Sequence, residues 1–528
     1  MTRVHVPAGQ EAPEDLMSAL SLYEAALAQD DLDVLGRFFV DGPDALRGDA
    51  GGLLVGREQI DRFRGRRGGA GRREVTDAHV RMITEADAWV TTVNAPDRGG
   101  RGIVTQLWRR TGPTEGEGAT PGGWVIHAAQ VAAPAAAFDT RVWRTLGNPL
   151  APGARSGPLA GHTVAVKDVF AVVGQAVGGG VPAYLAESDV EEESADAVAA
   201  LTRAGASVTG IAQTDQFAYS IAGINAAYGT PPNVAAPGAV PGGSSSGPAS
   251  AVAQGQASIG LGTDTAGSIR VPASYQGLWG LRPTHGLVSL RGALPLAPSY
   301  DTAGWLARDG ETLLEAARAS LDPATQRDVA RDAAVVSGPV FLAADDEVAL
   351  ALGDAIDALS AADVFSSLEP VNTPAPEDLF RIFRYTQSAE AARSWQAWID
   401  AHPGALAVDV ADRFAWAAGV TAEEEAGALE AKAEAREALD RALGDDILLL
   451  PSASSVAPAL DASPERLQAV REATLGMTAI AGITGRPALS VPLVELDEGP
   501  VGLCLVGPRG SDLALIETAI AWLAALKG

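Results

Sequence analysis

The sequence predicts a small α+β domain followed by a larger α/β domain, in which helices cover a central sheet. With 528 residues, the chain is long enough for more than one domain. In the first part of the chain, apolar residues recur at helical spacing and then at every second residue. Further along, strand-like and helical segments alternate. We therefore predict domains at residues 1–135 and 159–528, joined by a linker at 136–158.

The elements of the first domain follow from its apolar spacing. Residues between Leu16 and Leu27 recur at helical intervals, and Val34–Phe39 predicts a second, shorter helix. Four later segments alternate with a period of two and predict an antiparallel sheet. They are Val80–Met82, Trp89–Val93, Ile103–Trp108 and Trp124–Val131.

The predicted linker is rich in Ala, Pro and Gly, and within it residues 140–144 predict a short helix. In the second domain, Thr163–Val166 and Ile447–Leu450 are strand-like, whereas Ser194–Ala204 and Ala422–Leu443 are helical. This alternation is the basis of the α/β prediction.

Composition excludes several classes of partner and site. The net charge of −27 argues against nucleic acid and anionic membranes, because binding phosphates needs basic patches. The single cysteine, Cys504, excludes an intramolecular disulfide and a cysteine-based metal cluster. We expect no metal and no cofactor. No apolar run has the form of a signal peptide or a membrane span, so we expect a soluble cytoplasmic protein.

Two glycine-rich turns that carry serine lie within Pro241–Pro283. The first is Gly242–Gly247 and the second is Gly262–Ser268, with a segment of small residues between them. Glycine lets the backbone approach a ligand closely. A serine hydroxyl becomes a nucleophile when a base removes its proton. The pair of turns therefore indicates acyl transfer.

Pro241–Pro283 resembles the signature of the amidase signature family of serine hydrolases. His162–Phe170 is similar to the family strand that delivers a catalytic lysine, and Ala481–Pro492 with Val501–Pro508 resembles the closing strands of that fold. The resemblance covers residues 140–528 and implies an enzyme that hydrolyses linear amide C–N bonds on the amidase signature fold.

By this resemblance Ser268 is the nucleophile, Ser244 is a bridging serine held in a cis peptide, and Lys167 is the base. The second domain shows no usable Ser-His-Asp set, and no G-x-S-x-G elbow surrounds Ser268, which also favours a lysine base. A lysine acts as a base when burial lowers its pKa, and Lys167 follows an apolar run.

The resemblance also implies an oxyanion hole made of backbone N–H groups. They belong to Thr265, Ala266, Gly267 and Ser268. Ala266 stands where glycine is frequent in the family, and its methyl group narrows the expected pocket in favour of small substrates.

The sequence indicates the substrate-binding residues less clearly than the catalytic ones. Tyr385 and Arg393 lie eight residues apart on a predicted helix, about two turns and roughly one face. Their spacing is similar to the substrate-binding pair of allophanate hydrolases, and arginine suits a carboxylate. The alternative is an ordinary helix with an exposed arginine. Asp264, Gln213 and Tyr219 are further candidates that either line the pocket or brace it.

The first domain resembles the cone-shaped NTF2-like superfamily, and most of all its branch that accompanies carboxybiuret hydrolases. The pairing of the two domains implies a small, carboxylated, nitrogen-rich substrate of the carboxybiuret or allophanate kind, as in s-triazine degradation. NTF2-like sheets often pair, so we expect a homodimer.

Three alternatives stay open at this point. The chain could be a general small-amide amidase with a dimerising first domain, or an amidotransferase-type component that supplies ammonia to a partner. It could also be a non-catalytic binding protein, although the complete set of Lys167, Ser244 and Ser268 counts against that.

Overall fold

Two separate β-sheets organise the chain. The computed structural model describes residues 2–49, 52–67, 73–96, 102–116, 118–132 and 139–526. Contacts divide the chain into two units, Met1–Phe138 and Asp139–Gly528. Each unit has its own apolar core.

The first unit has a seven-stranded sheet with helices packed against it, which is the α+β arrangement that its sequence predicts. The strand order is β1-β4-β5-β6-β7-β2-β3. Its helices are α1 (Glu14–Gln29), α2 (Leu32–Arg37) and α3 (Arg57–Arg67). Its strands are β1 (Arg3–His5), β2 (Leu46–Asp49), β3 (Gly52–Val55), β4 (Arg73–Met82), β5 (Asp87–Pro96), β6 (Gly102–Arg110) and β7 (Trp124–Ala132), with a 3-10 turn at Pro121–Gly123.

Helix α1 shows why this unit folds as it does. Its buried face includes Leu16, Leu20, Tyr23 and Leu27, the same residues whose spacing predicts the helix. That face joins the core that contains the fully buried Trp108 of β6.

The second unit is built on an eleven-stranded mixed sheet covered by helices, so the predicted fold class is confirmed. The strand order is β15-β14-β16-β18-β17-β12-β13-β11-β9-β10-β8. The strands are β8 (Trp143–Ala151), β9 (Thr163–Lys167), β10 (Ser207–Ala212), β11 (Ile259–Thr263), β12 (Trp279–Arg282), β13 (Ala303–Ala307), β14 (Ala333–Val336), β15 (Ser367–Pro370), β16 (Ile447–Pro451), β17 (Ala488–Leu496) and β18 (Gly499–Val506).

Twelve helices accompany this sheet within residues 139–526. They are α4 (Pro182–Glu187), α5 (Asp196–Arg203), α6 (Ser246–Ala253), α7 (Arg270–Tyr275), α8 (Gly310–Ser320), α9 (Gly338–Phe341), α10 (Asp346–Ala361), α11 (Pro376–Ala401), α12 (Val408–Ala418), α13 (Ala422–Leu443), α14 (Pro464–Thr484) and α15 (Asp512–Ala525), with 3-10 turns at Gln216–Ala218 and Pro323–Thr325.

Strand β9 lies between two parallel neighbours, β10 and β11. All five of its residues are buried or partly buried, which agrees with the near-continuous apolar run Val164–Val166. Because parallel strands end at the same edge of a sheet, Lys167 at the end of β9 lies close to Thr263 at the end of β11.

The predicted linker differs from the structure. Its residues 136–138 lie outside the described residues, and from Asp139 onward it belongs to the second unit. Residues 140–144 do not form the helix that their sequence predicts, because Trp143 starts β8, which pairs antiparallel with β10. The buried indole of Trp143 anchors this edge strand to the core.

Among the described residues, no helix is both long enough and apolar enough to cross a membrane.

Candidate active site

Lys167 is completely buried at the end of β9. Its Nζ donates hydrogen bonds to Ser244 Oγ and to Thr263 Oγ1, each at 2.7 Å. The lysine and the first serine turn, which the sequence places 77 residues apart, therefore meet in the structure.

Burial controls the protonation of this lysine. It lowers the pKa of the Lys167 ammonium group from 10.5 to about 7, because a charge is poorly stabilised away from water. Three buried carboxylates oppose the shift without cancelling it, and they belong to Asp215, Asp264 and Asp301. Near neutral pH a large fraction of Lys167 is thus unprotonated and able to accept a proton.

The first serine turn has a tightly constrained backbone. The peptide bond between Gly243 and Ser244 is cis, as the family resemblance implies. A Cβ atom at Gly243 would lie 2.5 Å from Asp215 Oδ2 and 2.5 Å from the amide nitrogen of Gly223. Since Asp215 Oδ2 already accepts a hydrogen bond from that amide, only glycine fits at position 243 without displacing it.

Ser268 belongs to the second turn, directly before α7. The two serine turns touch through the Ser245 amide, which donates to the carbonyl oxygen of Ser268 at 3.2 Å. Ser268 itself lines a small inner cavity, whose volume of about 10 Å³ is close to the space that one water molecule needs. Its hydroxyl makes no hydrogen bond to any described residue.

Asp264 holds the second turn in place. Its carboxylate forms ion pairs with two completely buried guanidinium groups, Arg270 at 2.9 Å and Arg282 at 3.2 Å. These cations hold the pKa of the Asp264 carboxyl well below its usual range despite its burial. The carboxylate stays charged and also accepts hydrogen bonds from the amides of Gly267 and Ile269.

In this structure one amide of the predicted oxyanion hole is already engaged. The Gly267 amide donates to Asp264 Oδ1 at 2.8 Å, so it is not free to bind an oxyanion. By contrast, the amides of Thr265, Ala266 and Ser268 donate no hydrogen bond to the described residues. Thr265, Ala266 and Ser268 all line the inner cavity.

The inner cavity borders an outer cavity of about 400 Å³. Both are lined by Tyr219, Gln387, Arg471 and Leu475. A third cavity of about 370 Å³, which is mainly apolar, shares Ser220, Ile221 and Arg471 with the inner one. Arg471 is therefore common to all three cavities.

Three arginines line the outer cavity, namely Arg384, Arg413 and Arg471, together with the carboxylates of Asp409 and Asp412. Arg413 pairs with Asp409 at 2.7 Å, and Arg384 stacks on the Trp416 ring at 3.9 Å from its centroid. The lining therefore carries more positive than negative charge, which favours an anionic ligand.

Tyr385 and Arg393, the predicted substrate-binding pair, line none of these three cavities. The Tyr385 ring packs on Trp416 with centroids 5.3 Å apart, and the exposed Arg393 forms an ion pair with Glu425 at 2.8 Å. The position of Tyr385 around the axis of α11 explains why it does not line the outer cavity. The face of α11 toward the outer cavity carries Phe380, Phe383, Arg384, Gln387 and Ser388, so Tyr385 lies on another face.

Sequence patterns do not single out Arg471, Arg413 or Gln387. Tyr219, by contrast, is a pocket candidate from the sequence, and its hydroxyl shares a hydrogen bond of 2.7 Å with Ser388. Arg471 lies on α14 before a run of small and apolar residues, and nothing in that pattern separates it from a surface arginine. Within the described residues, no group of three or more His, Cys, Asp or Glu side chains could hold a metal ion.

Comparison with known proteins gives the family of each part of the chain. The Amidase family matches residues 140–516, and the AtzH-like family matches residues 10–136. Amidase 1 of Arabidopsis thaliana is 32% identical over 398 residues, which cover 69% of this chain and 94% of the relative. The 2-amino-5-chloromuconic acid deaminase of Comamonas testosteroni is 34% identical over 389 residues, covering 69% and 81%.

Solved structures show the same relationship. A crystal structure of an amidase aligns with a TM-score of 0.66 at 29% identity, covering 73% of this chain and 92% of that one. A chain from a vestigial complex, which bears on the origins of an s-triazine catabolic enzyme, aligns with a TM-score of 0.63 at 27% identity, covering 70% and 85%. The allophanate hydrolase of Kluyveromyces lactis gives 0.63 at 26% identity, covering 70% and 62%. The chain therefore belongs to the amidase signature family, is an enzyme that hydrolyses C–N amide bonds, and carries an AtzH-like domain before its catalytic domain.

Proposed function

We propose that this enzyme hydrolyses the C–N bond of a small carboxylated amide or ureide through an acyl-enzyme on Ser268. One observation carries the mechanism: the buried Nζ of Lys167 lies 2.7 Å from Ser244 Oγ, and the pKa of this lysine is about 7. A base with a pKa near the working pH is best suited to move a proton in both directions.

In the first half-reaction, the neutral amine of Lys167 takes the proton of Ser244, which takes the proton of Ser268. Ser268 Oγ then forms a bond to the substrate carbonyl carbon. The free amides of Thr265, Ala266 and Ser268 are the donors for the oxyanion that develops. When the C–N bond breaks, the proton returns along the same path to the leaving nitrogen.

In the second half-reaction, a water molecule replaces the released amine or ammonia. It gives a proton to the same relay, attacks the acyl carbon, and frees Ser268 as the proton returns to its oxygen. The inner cavity is small, and the methyl group of Ala266 lines it. Both features favour a compact acyl group.

The substrate class rests on three supports. The cavity beside Ser268 leads to an arginine-rich outer cavity. One similar protein is an allophanate hydrolase, and another is named for a chlorinated amino acid of the muconic type. A related structure concerns an s-triazine catabolic enzyme, and the first domain is AtzH-like. We therefore place a 1-carboxybiuret-like ureide first among the candidate substrates.

A general amidase is the second candidate. It is favoured by the apolar cavity beside Ser220 and Ile221, which could hold an apolar amide. An amidotransferase-type role is the third, since subunits A of glutamyl-tRNA(Gln) amidotransferases are also similar to this chain. The net negative charge of the chain and its AtzH-like domain count against the amidotransferase-type role.

The proposal is tested by ammonia release from a panel of purified substrates: carboxybiuret, biuret, malonamate, malonamide and an aryl amide. Carboxylated members should be hydrolysed with the highest kcat/KM, and Ser268→Ala should abolish the release. High turnover of the aryl amide with none of the carboxylated ureides would contradict the substrate class and favour the general amidase.

The assembly and location of the protein stay predictions. We expect a homodimer that binds neither nucleic acid nor membranes, in the cytoplasm. Size-exclusion chromatography with light scattering measures the oligomeric state, and a mass of one chain would contradict the homodimer.

A further inference from the structure

Arg471 differs from every other arginine in the cavities beside Ser268. Its side chain makes no hydrogen bond, ion pair or ring contact with any described residue. Its Nε is fully buried and has no partner. A guanidinium group has five N–H donors in a planar fork, and the described residues use none of those of Arg471.

Each of the two neighbouring arginines has a partner among the described side chains. Arg413 forms its ion pair with Asp409, and Arg384 stacks on Trp416. Burial, together with their positive charges, lowers the pKa of Arg471 to about 10, which leaves it charged at neutral pH. The side chains of Tyr219 and Glu472 act on it in the opposite direction.

Arg471 is half-buried and its Nε is enclosed, so its charge is only partly solvated and a ligand of opposite charge would stabilise it. Arg471 lines the inner cavity together with Ser268 and Thr265, so a ligand that reaches the nucleophile also reaches this guanidinium group. The chemistry that matches a planar fork of N–H donors is a carboxylate, which accepts two parallel hydrogen bonds.

We propose that Arg471 binds the substrate carboxylate and thereby sets the preference of the enzyme for carboxylated amides over neutral ones of the same shape. This inference rests on the proposed function. The inner cavity is small, so the carboxylate and the reacting carbonyl belong to the same compact molecule. Malonamate and malonamide make a matched pair, since they differ only in carboxylate against carboxamide.

The test compares the two compounds in the full chain and in Arg471→Gln and Arg471→Lys. Arg471→Gln should lower the selectivity for malonamate over malonamide by about 30-fold or more, mainly through a higher KM for malonamate, since one charge-assisted pair is lost. Arg471→Lys should recover part of this selectivity, because lysine keeps the positive charge but lacks the planar set of N–H donors. Arg466→Gln is the control: this arginine lies on the same helix, pairs with Asp345 and lines none of the three cavities. It should keep the selectivity of the wild type.

Binding is measured separately in a Ser268→Ala background by calorimetry, which needs no turnover. There, malonamate should bind more tightly than malonamide, and adding Arg471→Gln should remove the difference. An equal loss for both compounds in Arg471→Gln would overturn the inference and assign Arg471 a structural role. Absence of hydrolysis with intact, Arg471-dependent binding would instead contradict the proposed reaction and leave this inference standing.

Discussion

The amine of Lys167 and the hydroxyl of Ser244 lie 2.7 Å apart in a buried site, although 77 residues separate them in the chain. Lys167 lies at the end of strand β9, and Ser244 belongs to the first serine turn. Thr263 Oγ1 accepts the second hydrogen bond of the lysine, so its nitrogen is held from two sides.

Replacement of this base should remove most of the activity. Lys167→Met keeps the length of the side chain but cannot accept a proton, and we expect kcat/KM to fall by about 10³-fold, within the range for a lost general base. Lys432→Met is the control, because Lys432 is partly buried, over the Tyr300 ring at 3.6 Å, and lines none of the three cavities. It should change kcat/KM by less than about 3-fold. Equal losses in both variants would point to a general effect of removing a lysine.

The pH dependence follows from the pKa of Lys167 of about 7. Because the neutral amine is the active form, kcat/KM should fall about tenfold per pH unit below pH 7 and level off above it. The measurement is kcat/KM for neutral malonamide between about pH 5 and pH 9, where the substrate does not titrate. A rate that stays constant down to pH 5, in a protein that remains folded, would argue against Lys167 as the base.

Gly243→Ala tests the first serine turn. The added Cβ would lie 2.5 Å from Asp215 Oδ2 and must displace the turn that carries Ser244. A misplacement of about 1 Å can cost about 10²-fold in rate, and we expect a loss of at least that size. Gly353→Ala is the control, because a Cβ there meets nothing within 4 Å and the residue lies inside α10. It should leave activity unchanged and raise the free energy of unfolding by about 0.5–1 kcal/mol. Wild-type activity in Gly243→Ala would contradict the geometry of the turn.

Tyr385→Phe and Arg393→Ala should each change the Michaelis constant by less than about 3-fold, as expected for residues outside the site. The reason is that Tyr385 packs on Trp416 and Arg393 pairs with Glu425, and neither Tyr385 nor Arg393 lines the cavities beside Ser268. Steady-state kinetics on the best carboxylated substrate decides the point. If either variant weakened substrate binding by about 30-fold or more, the size of a lost charge-assisted pair, the role that their spacing suggests would be restored.

Sequence patterns are enough to name Lys167, Ser244 and Ser268 as candidates, because each lies in a short motif with its own local requirement. Lys167 ends an apolar strand, and the serine turns need glycine at fixed positions. The long elements α1 and α13 are also predicted, since their periodicity is extended. The strands β1, β2 and β3 are too short to give a periodic signal.

The remaining features depend on tertiary packing. Whether the Gly267 amide is free depends on the carboxylate three residues earlier, which Arg270 and Arg282 hold in place. The role that we propose for Arg471 rests on the absence of partners for its side chain among the described residues, which no sequence pattern reveals. The edge strand β8 looks like a linker in composition, and only its pairing with β10 makes it part of the sheet.

The acyl-enzyme on Ser268 is the central claim, and mass spectrometry tests it most directly. The protein is mixed with a small p-nitrophenyl ester, quenched during the initial burst of p-nitrophenol, and digested. The peptide that contains Ser268 should carry the acyl group, and Ser268→Ala and Lys167→Met should show neither the burst nor the adduct. Acylation at another residue, with unchanged turnover in Ser268→Ala, would contradict the mechanism.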